Sequence, residues 1–285
     1  MKSPPPARAS VQAIVTGAHS SFYWAIRFLP HERRRAMFAV YAFCRLVDDI
    51  ADGNGTVQGK LDALAAWRAE IQRLFAGSPG HAVTEALAGP VARFDLHEQD
   101  FLAIIDGMVM DASGQMVAPA LLDLELYCRR AAGAVGMLSS SIFGVRRPEG
   151  RSLALSLGQA LQYVNFLRDL AEDAAQGRLY VAREILDKAG VVNRDPMGFL
   201  SDPALPAAAA EMARMAEARF RAARRVLKTV PVGPARPARI MLETYRRVLD
   251  RLLLRGFAPE ALGRPVSVGR VDRLAIALRE MLRRG

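Results

Sequence analysis

The chain has 285 residues, a formal net charge of +10, and 51% hydrophobic and 24% charged residues. This composition is typical of a globular protein and excludes collagen-like, mucin-like and disordered classes. The length suits one large domain or two small ones. Two cysteines and four histidines lack the spacing of zinc ligands, so a zinc site is excluded and Cys44 and Cys128 are expected as buried free thiols.

The ends of the chain carry no targeting or anchoring pattern. No stretch of 18 uninterrupted apolar residues occurs, so no membrane-spanning helix is expected. The first ten residues, MKSPPPARAS, lack the apolar segment of a secretory signal. We expect a disordered leader over residues 1–14, a single domain over residues 15–285, and a cytoplasmic location.

The positive charge is concentrated in the last quarter of the chain. Residues 211–285 hold 18 Lys or Arg against 7 Asp or Glu, a balance of +11, whereas residues 1–210 balance at −1. Such a surface can face an anionic membrane, a nucleic acid or a polyphosphate, or it can be solvated helix surface. Aromatic residues do not alternate with these arginines in an RNP-like pattern, so nucleic acid is not an expected partner. Peripheral contact with the inner face of a membrane stays open.

Apolar residues recur with a period near 3.6 along most of the chain, which predicts an all-α fold. No hairpin dipeptide stands between alternating apolar segments. The predicted helices cover residues 31–52, 57–76, 82–89, 97–112, 119–143, 153–175, 203–228, 234–256 and 270–284. Loops are predicted at 144–151 and 190–206, where glycine, proline and charged residues interrupt the periodicity.

The first chemically informative segment is YAFCRLVDDIAD, residues 41–52. On a helix with about 100° between residues, its polar side chains at Tyr41, Arg45, Asp48 and Asp52 lie within about 60° of one another. They continue the apolar stripe of the helix instead of opposing it. A merely solvated helix face would place them elsewhere.

The second segment is QYVNFLRDLAED, residues 162–173. On a helix, Gln162, Asn165, Asp169 and Asp173 span about 80° of the circumference. Their neighbours are mostly apolar, which predicts a largely buried helix. Two buried helices therefore each present a pair of carboxylates four residues apart.

Bare carboxylate pairs of this kind are unstable. Two carboxylates about 5 Å apart repel by roughly 3 kcal/mol at an effective dielectric of 20, so they are either protonated or neutralised by cations. Oxygen ligands without Cys or His select a hard cation, and Mg²⁺ bound together with substrate phosphate fits best, with Mn²⁺ as the alternative ion. The competing interpretation is a surface acid cluster paired with Arg45 and Arg168. The repetition of the pattern on two helices favours the metal site.

Four segments resemble the squalene and phytoene synthase family. They are SSFYWAIRFLP (20–30), AMFAVYAFCRLVDDIADG (36–53), YCRRAAGAVG (127–136) and QYVNFLRDLAEDAAQGRLYVAREIL (162–186). The resemblance extends over most of the chain and is strongest to the presqualene-forming bacterial branch that serves hopanoid biosynthesis. It implies the all-α isoprenoid synthase fold, a helical bundle around a central apolar cavity.

The resemblance also implies a role for each matched position. The implied metal ligands are Asp48, Asp52, Asn165, Asp169 and Asp173. The implied substrate-binding residues are Ser20, Ser21, Phe22, Tyr41, Arg45, Gln162, Asn165, Arg168 and Tyr180. The implied catalytic residues are Tyr41, Arg45, Asp48, Asp52, Asp169 and Asp173, with Tyr41 near the proton that is lost.

The implied reaction is the head-to-head condensation of two farnesyl diphosphates to presqualene diphosphate, with release of diphosphate. Mg²⁺ is the implied cofactor. NADPH is not expected, because no strand–glycine turn–helix fingerprint for a dinucleotide occurs. Other enzymes of isoprenoid biosynthesis that act downstream are implied partners.

Three alternatives stay open. A relative of the same family can form squalene, dehydrosqualene or phytoene instead. A head-to-tail prenyl elongase or a terpene cyclase would share the DDxxD pattern of residues 48–52, but the second segment, with its preceding Asn and following GRLY, argues against both. An inactive helical scaffold could bind anionic lipid or nucleic acid through its basic last quarter.

Overall fold

The computed structural model describes residues 25–27 and 29–283. Within these ranges the chain forms α-helices and one π-helical turn and no β-strand, which confirms the predicted all-α class. The helices are α1 (His31–Asp52), α2 (Val57–Phe75), α3 (Ala82–Phe94), α4 (Glu98–Ala112), α5 (Leu121–Cys128), α6 (Ala134–Phe143), α7 (Arg147–Arg168), α8 (Leu170–Ala175), α9 (Arg183–Ala189), α10 (Pro196–Phe199), α11 (Leu205–Leu227), α12 (Val232–Arg255), α13 (Pro259–Leu262) and α14 (Arg270–Met281). The π-helical turn, Arg129–Gly133, joins α5 to α6. No described helix has the length and apolarity needed to cross a membrane.

Helix α7 lies at the centre of the bundle. It packs along α11 and α6 and also contacts the π-helical turn and α12, while α1 packs against α3, α4 and α6. Apolar residues at helical spacing on each element form one contiguous buried cluster. The site described below lies where α1, α4 and the C-terminal end of α7 meet.

Two glycines allow α7 to approach its neighbours closely. A Cβ atom on Gly136 of α6 would lie 2.9 Å from the Ala154 Cα atom of α7. A Cβ atom on Gly158 of α7 would lie 3.0 Å from the carbonyl carbon of Ala132 in the π-helical turn. Both distances are shorter than any ordinary carbon–carbon contact, so these positions require glycine.

Two prolines lie inside helices, although both positions were predicted to be loops or helix ends. The predicted helix 82–89 continues through Pro90 for a further turn, because Pro90 is partly exposed near the helix end and water can bond the one carbonyl that loses its donor. The loop predicted at 144–151 is wrong in part. Helix α7 already begins at Arg147, with Pro148 in its first turn, where N–H groups have no intrahelical acceptor.

Two predicted long helices are interrupted. The segment 119–143 contains the π-helical turn between α5 and α6, and the segment 153–175 breaks at Asp169. Periodicity cannot show such breaks, because one residue of irregular backbone leaves the apolar pattern almost unchanged.

Both cysteines are free, as predicted, but the prediction that both are buried is wrong for Cys44, which lies at the edge of the core and stays partly exposed. Cys128 is buried, and burial raises the pKa of its thiol well above the usual range. Burial, followed by the nearby Asp48 carboxylate, raises the pKa of the Cys44 thiol to about 12. Both thiols are therefore protonated and unreactive at neutral pH.

Candidate active site

The last turns of α1 carry the first acidic group. Burial, and then the neighbouring Asp52 carboxylate, raise the pKa of Asp48 to about 6. The Arg45 guanidinium lies 3.0 Å from Asp49 Oδ1 but 3.8 Å from Asp48 Oδ2. Asp48 is thus only loosely paired, and its environment is negative enough to favour a cation.

The second acidic group lies at the end of α7, where the helix breaks. Asp169, with φ −102° and ψ 11°, ends α7 and precedes α8. Both of its carboxylate oxygens accept hydrogen bonds from Arg168, at 2.7 and 2.6 Å. Burial, and then the Asp169 carboxylate, raise the pKa of Asp173 to about 8. The prediction of one continuous polar stripe is therefore wrong, but the two carboxylates still lie close enough to repel each other.

Arg178 joins the two acidic groups. Its Nη1 atom donates to Asp52 Oδ1 at 2.6 Å, and its Nη2 atom donates to the Ala51 carbonyl at 3.1 Å. The chain after α8 is thereby held against the end of α1. Arg178 belongs to the GRLY segment, residues 177–180, but no role was predicted for it.

A further carboxylate lies beneath both groups. Asp111, in the last turn of α4, is 8% exposed and accepts hydrogen bonds from the hydroxyls of Tyr127 (2.7 Å) and Tyr180 (2.6 Å). Its charge also contributes to the raised pKa values of Asp48 and Asp173. Sequence reasoning missed Asp111, and the one available signal was an aspartate within the apolar run MVMDA.

Ring stacking and a short backbone bridge fix the position of Tyr180. Its ring stacks on Phe166 of α7, with centroids 4.6 Å apart, and on Tyr127, with centroids 5.3 Å apart. The Leu179 N–H donates to the Met116 carbonyl at 2.9 Å, which ties the segment after α8 to the segment after α4. Tyr180 is buried and directed to Asp111, and its substrate-binding role stays a prediction.

Two apolar cavities meet beside the carboxylates. The front cavity, of about 300 Å³, is lined by Val40, Tyr41, Cys44, Arg45, Asp48, Ile104, Met108, Ala131, Val135 and Asn165. The rear cavity, of about 210 Å³, lies between α6, α7 and α12 and includes Phe143, Leu157, Leu161, Gln162 and Tyr245. Asn165, Ala131 and Val135 line both cavities.

Asn165 presents an unsatisfied oxygen at this junction. Its Nδ2 atom donates to Gln162 Oε1 at 3.0 Å, which orients the amide. Its Oδ1 atom is buried and has no hydrogen-bond partner. A buried acceptor without a donor requires a partner such as a cation. The oxygen-only set of Asn165 and the surrounding aspartates therefore fits a hard divalent ion.

The carboxylates are not yet gathered around one point. Among residues 25–27 and 29–283, no three Asp, Glu, His or Cys side chains form a ready-made ion site. Two of the carboxylates are paired with arginines, Asp169 with Arg168 and Asp52 with Arg178.

The structure thus brings most of the predicted site residues together. Tyr41, Arg45, Asp48, Gln162 and Asn165 line the two cavities, and the adjoining network of charges includes Asp52, Arg168, Asp169 and Asp173. Ser20, Ser21 and Phe22 lie outside the described residues, so their predicted role in binding substrate is not tested. Tyr127 and Arg178 were also missed, although both belong to the segments that carried the resemblance.

A helical bundle with two facing aspartate segments at the mouth of paired apolar cavities defines an all-α enzyme of the isoprenoid synthase type. The sequence matches the squalene/phytoene synthase family over residues 15–272. The chain belongs to this family.

The relatives cover nearly the whole chain. A presqualene diphosphate synthase from Sinorhizobium fredii is 43% identical over 267 residues, 94% of this chain and 95% of the relative. The squalene synthase HpnC from Alicyclobacillus acidocaldarius superposes with a TM-score of 0.74 at 31% identity, over 87% of this chain and 93% of that one. A dehydrosqualene synthase solved with a ligand has a TM-score of 0.84 at 24% identity, over 96% and 95% of the two chains, and shows the shared fold.

Proposed function

We propose that this chain is a prenyltransferase that condenses two molecules of farnesyl diphosphate head-to-head into presqualene diphosphate and releases one diphosphate. The observation that carries the proposal is the pair of apolar cavities that share Asn165 and open beside the two aspartate segments. Two cavities provide room for two prenyl chains, and their junction brings the two reacting ends together. The similarity to the Sinorhizobium presqualene diphosphate synthase supports this product.

The carboxylates are proposed to hold the metal. Asp48, Asp52, Asn165, Asp169 and Asp173 would bind Mg²⁺, with Mn²⁺ as the alternative. When bound, the divalent ions neutralise the diphosphate and stabilise it as a leaving group. Burial first, and neighbouring carboxylates second, raise the pKa values of Asp48 and Asp173, so a bare ionised carboxylate is unfavourable at both positions. A bound divalent cation would stabilise both carboxylates in their ionised form.

The arginines are proposed to exchange partners when substrate binds. Arg168 and Arg178 are paired with Asp169 and Asp52. Both guanidinium groups would turn from these carboxylates to the diphosphate, and Arg45 lies beside the same cluster. A guanidinium donates several hydrogen bonds to phosphate oxygens, so these residues would orient the diphosphate and stabilise its developing charge.

The cavities are proposed to protect the allylic carbocation from water. Their linings are mainly aliphatic and aromatic, which excludes water from the reacting carbons. Tyr41 lines the front cavity together with Asn165, near the junction where the two chains would meet. We therefore place the Tyr41 hydroxyl near the carbon that loses a proton as the cyclopropane ring closes.

Diphosphate release distinguishes this function from an inactive scaffold. The purified protein should release diphosphate from farnesyl diphosphate when Mg²⁺ is present, a chelator should abolish release, and added Mg²⁺ should restore it. Absence of release by the wild-type protein with both Mg²⁺ and Mn²⁺ would contradict the proposal and favour the scaffold.

We also propose peripheral contact of the basic last quarter with the anionic inner face of a membrane. The balance of +11 over residues 211–285 supports an electrostatic contribution. The proposed product carries a long apolar chain and a diphosphate, and such a molecule is suited to a membrane surface.

A further inference from the structure

The C-terminal helix α14 exposes an apolar face. Val271 and Leu282 are 83% and 80% exposed, and Leu274, Leu278 and Met281 are also exposed. Their spacing of three or four residues places all five on one side of the helix. Apolar side chains in one contiguous exposed stripe mark an interaction surface, whereas scattered ones do not.

The opposite face of α14 is firmly packed. Ile276 and Ala277 are buried in the core. Asp272 accepts from Arg251 at 2.6 Å and lies 3.1 Å from Arg247, so two arginines of α12 hold the first turn of α14. One face of α14 therefore packs on the protein, and the apolar stripe lies on the opposite face, which is exposed to solvent.

The unpaired positive charge of this region borders the stripe. Elsewhere in the last quarter many arginines are neutralised, for example Arg214 by Glu211, Arg219 by Glu125 and Arg224 by Glu243.

On α14 the arrangement is different. The side chains of Arg270 and Arg279 are exposed, and neither guanidinium group forms an ion pair or hydrogen bond with any described residue. Of the acids of the helix, Glu280 is buried, and the partly exposed Asp272 is neutralised by Arg247 and Arg251. The outer side of α14 is therefore apolar in the middle and basic at its edges.

We infer that α14 is the membrane-docking element of this protein, with its apolar stripe inserted between the lipids of an anionic bilayer and its arginines at the headgroup phosphates. An amphipathic helix of this pattern lies in the plane of the interface. A second copy of the chain is the less suitable occupant, because a two-fold interface would bring the same arginines of both copies together. An anionic lipid surface instead complements them. The membrane contact proposed above for residues 211–285 is thus assigned to a single helix, α14, and this assignment does not require that the protein catalyse prenyl transfer.

A cavity of about 300 Å³ opens beside the stripe and is lined by Met281 together with Pro237, Ile240 and Phe143. Phe143 also lines the rear cavity, so the two cavities are neighbours.

Vesicle flotation tests the inference with exposed variants. The double variant Leu278→Asp/Leu282→Asp places charge on the stripe, and Leu122→Asp is the matched control because Leu122 of α5 is 79% exposed on another helix. The wild type and Leu122→Asp should float with vesicles of phosphatidylcholine and phosphatidylglycerol. The double variant should bind at least roughly tenfold less. Arg270→Gln/Arg279→Gln should weaken binding mainly at low salt.

The outcomes separate this inference from its alternatives. Equal binding by the double variant and the wild type would overturn it, as would equal loss in Leu122→Asp. A wild-type dimer that becomes a monomer in the double variant, measured by light scattering, would assign the stripe to a second copy instead. Diphosphate release by the double variant in the absence of vesicles should match the wild type, so failure of the docking inference and failure of the proposed reaction would be seen separately.

Discussion

The Arg178 guanidinium donates to the Asp52 carboxylate at 2.6 Å, a contact between residues 126 positions apart in the sequence. It fastens the segment after α8 to the end of α1 and so holds the two acidic groups against each other. Arg168 neutralises Asp169 in the same way. Arginines therefore stabilise the carboxylates at the positions where we propose that metal ions bind.

We predict that Arg178→Gln lowers the thermal stability of the metal-free protein and that Mg²⁺ recovers part of the loss. Without the guanidinium, Asp52 loses its hydrogen-bonded cation and still faces the Asp48 and Asp111 carboxylates. Unfolding temperatures measured with chelator and with Mg²⁺ check this. Arg214→Gln, which breaks only an exposed pair with Glu211, is the control and should change stability by less than about 1 kcal/mol. Equal destabilisation of Arg178→Gln with and without Mg²⁺ would contradict the prediction.

We predict that Asp48→Asn or Asp169→Asn reduces turnover to below about a tenth of the wild-type value, since each removes a proposed metal ligand. The circular dichroism spectrum should stay unchanged. Asp123→Asn serves as the control, because this exposed residue of α5 lies outside the site. Turnover above that level in either variant would mean that the carboxylates do not hold the metal.

We predict that Tyr180→Phe destabilises the protein by about 1–3 kcal/mol, because it leaves the buried Asp111 carboxylate with one hydrogen-bond donor instead of two. Denaturant unfolding measures the loss. Tyr163→Phe is the matched control, since the Tyr163 hydroxyl is buried near Arg219 and bonds no carboxylate, so its removal should cost less than about 1 kcal/mol. Similar losses in the two variants would show that the hydrogen bond to Asp111 is not the cause.

The stability of the metal-free protein should depend on pH through Asp173. Its pKa is raised to about 8 in the folded protein, above the ordinary value of 3.8. The folded state then binds a proton that the unfolded state has lost, so stability falls as pH rises between these two values and levels off above the higher one.

Asp173→Asn isolates this contribution, because the amide stays uncharged at every pH. In chelator, the stability of the variant relative to the wild type should increase by about 1–2 kcal/mol between about pH 5 and pH 9, after allowance for solvent screening. Thermal unfolding across this range provides the measurement. A difference that is constant with pH would show that Asp173 has no raised pKa.

The sequence predicted those parts of the site that depend on local spacing. Asp48 and Asp52 lie where helical periodicity placed them, because α1 is continuous through both. The same argument failed after Arg168, where the backbone breaks at Asp169. Spacing cannot show that break, because it is set by packing at the end of the helix.

Contacts between distant segments were not predictable from one sequence. Asp111 carries no motif and becomes part of the site only when Tyr127 and Tyr180 fold over it. The apolar face of α14 was hidden for a different reason. Charge counting identified a basic quarter, but only the fold shows which arginines are neutralised and which, such as Arg279, are not.

Product analysis tests the central claim most directly. The purified protein is incubated with farnesyl diphosphate, Mg²⁺ and NADPH, and the products are extracted, dephosphorylated and identified by mass spectrometry against a parallel incubation with geranylgeranyl diphosphate. We expect presqualene diphosphate as the main product from farnesyl diphosphate, in equal amounts with and without NADPH. Squalene as the main product, or phytoene from geranylgeranyl diphosphate in preference to any farnesyl product, would contradict it.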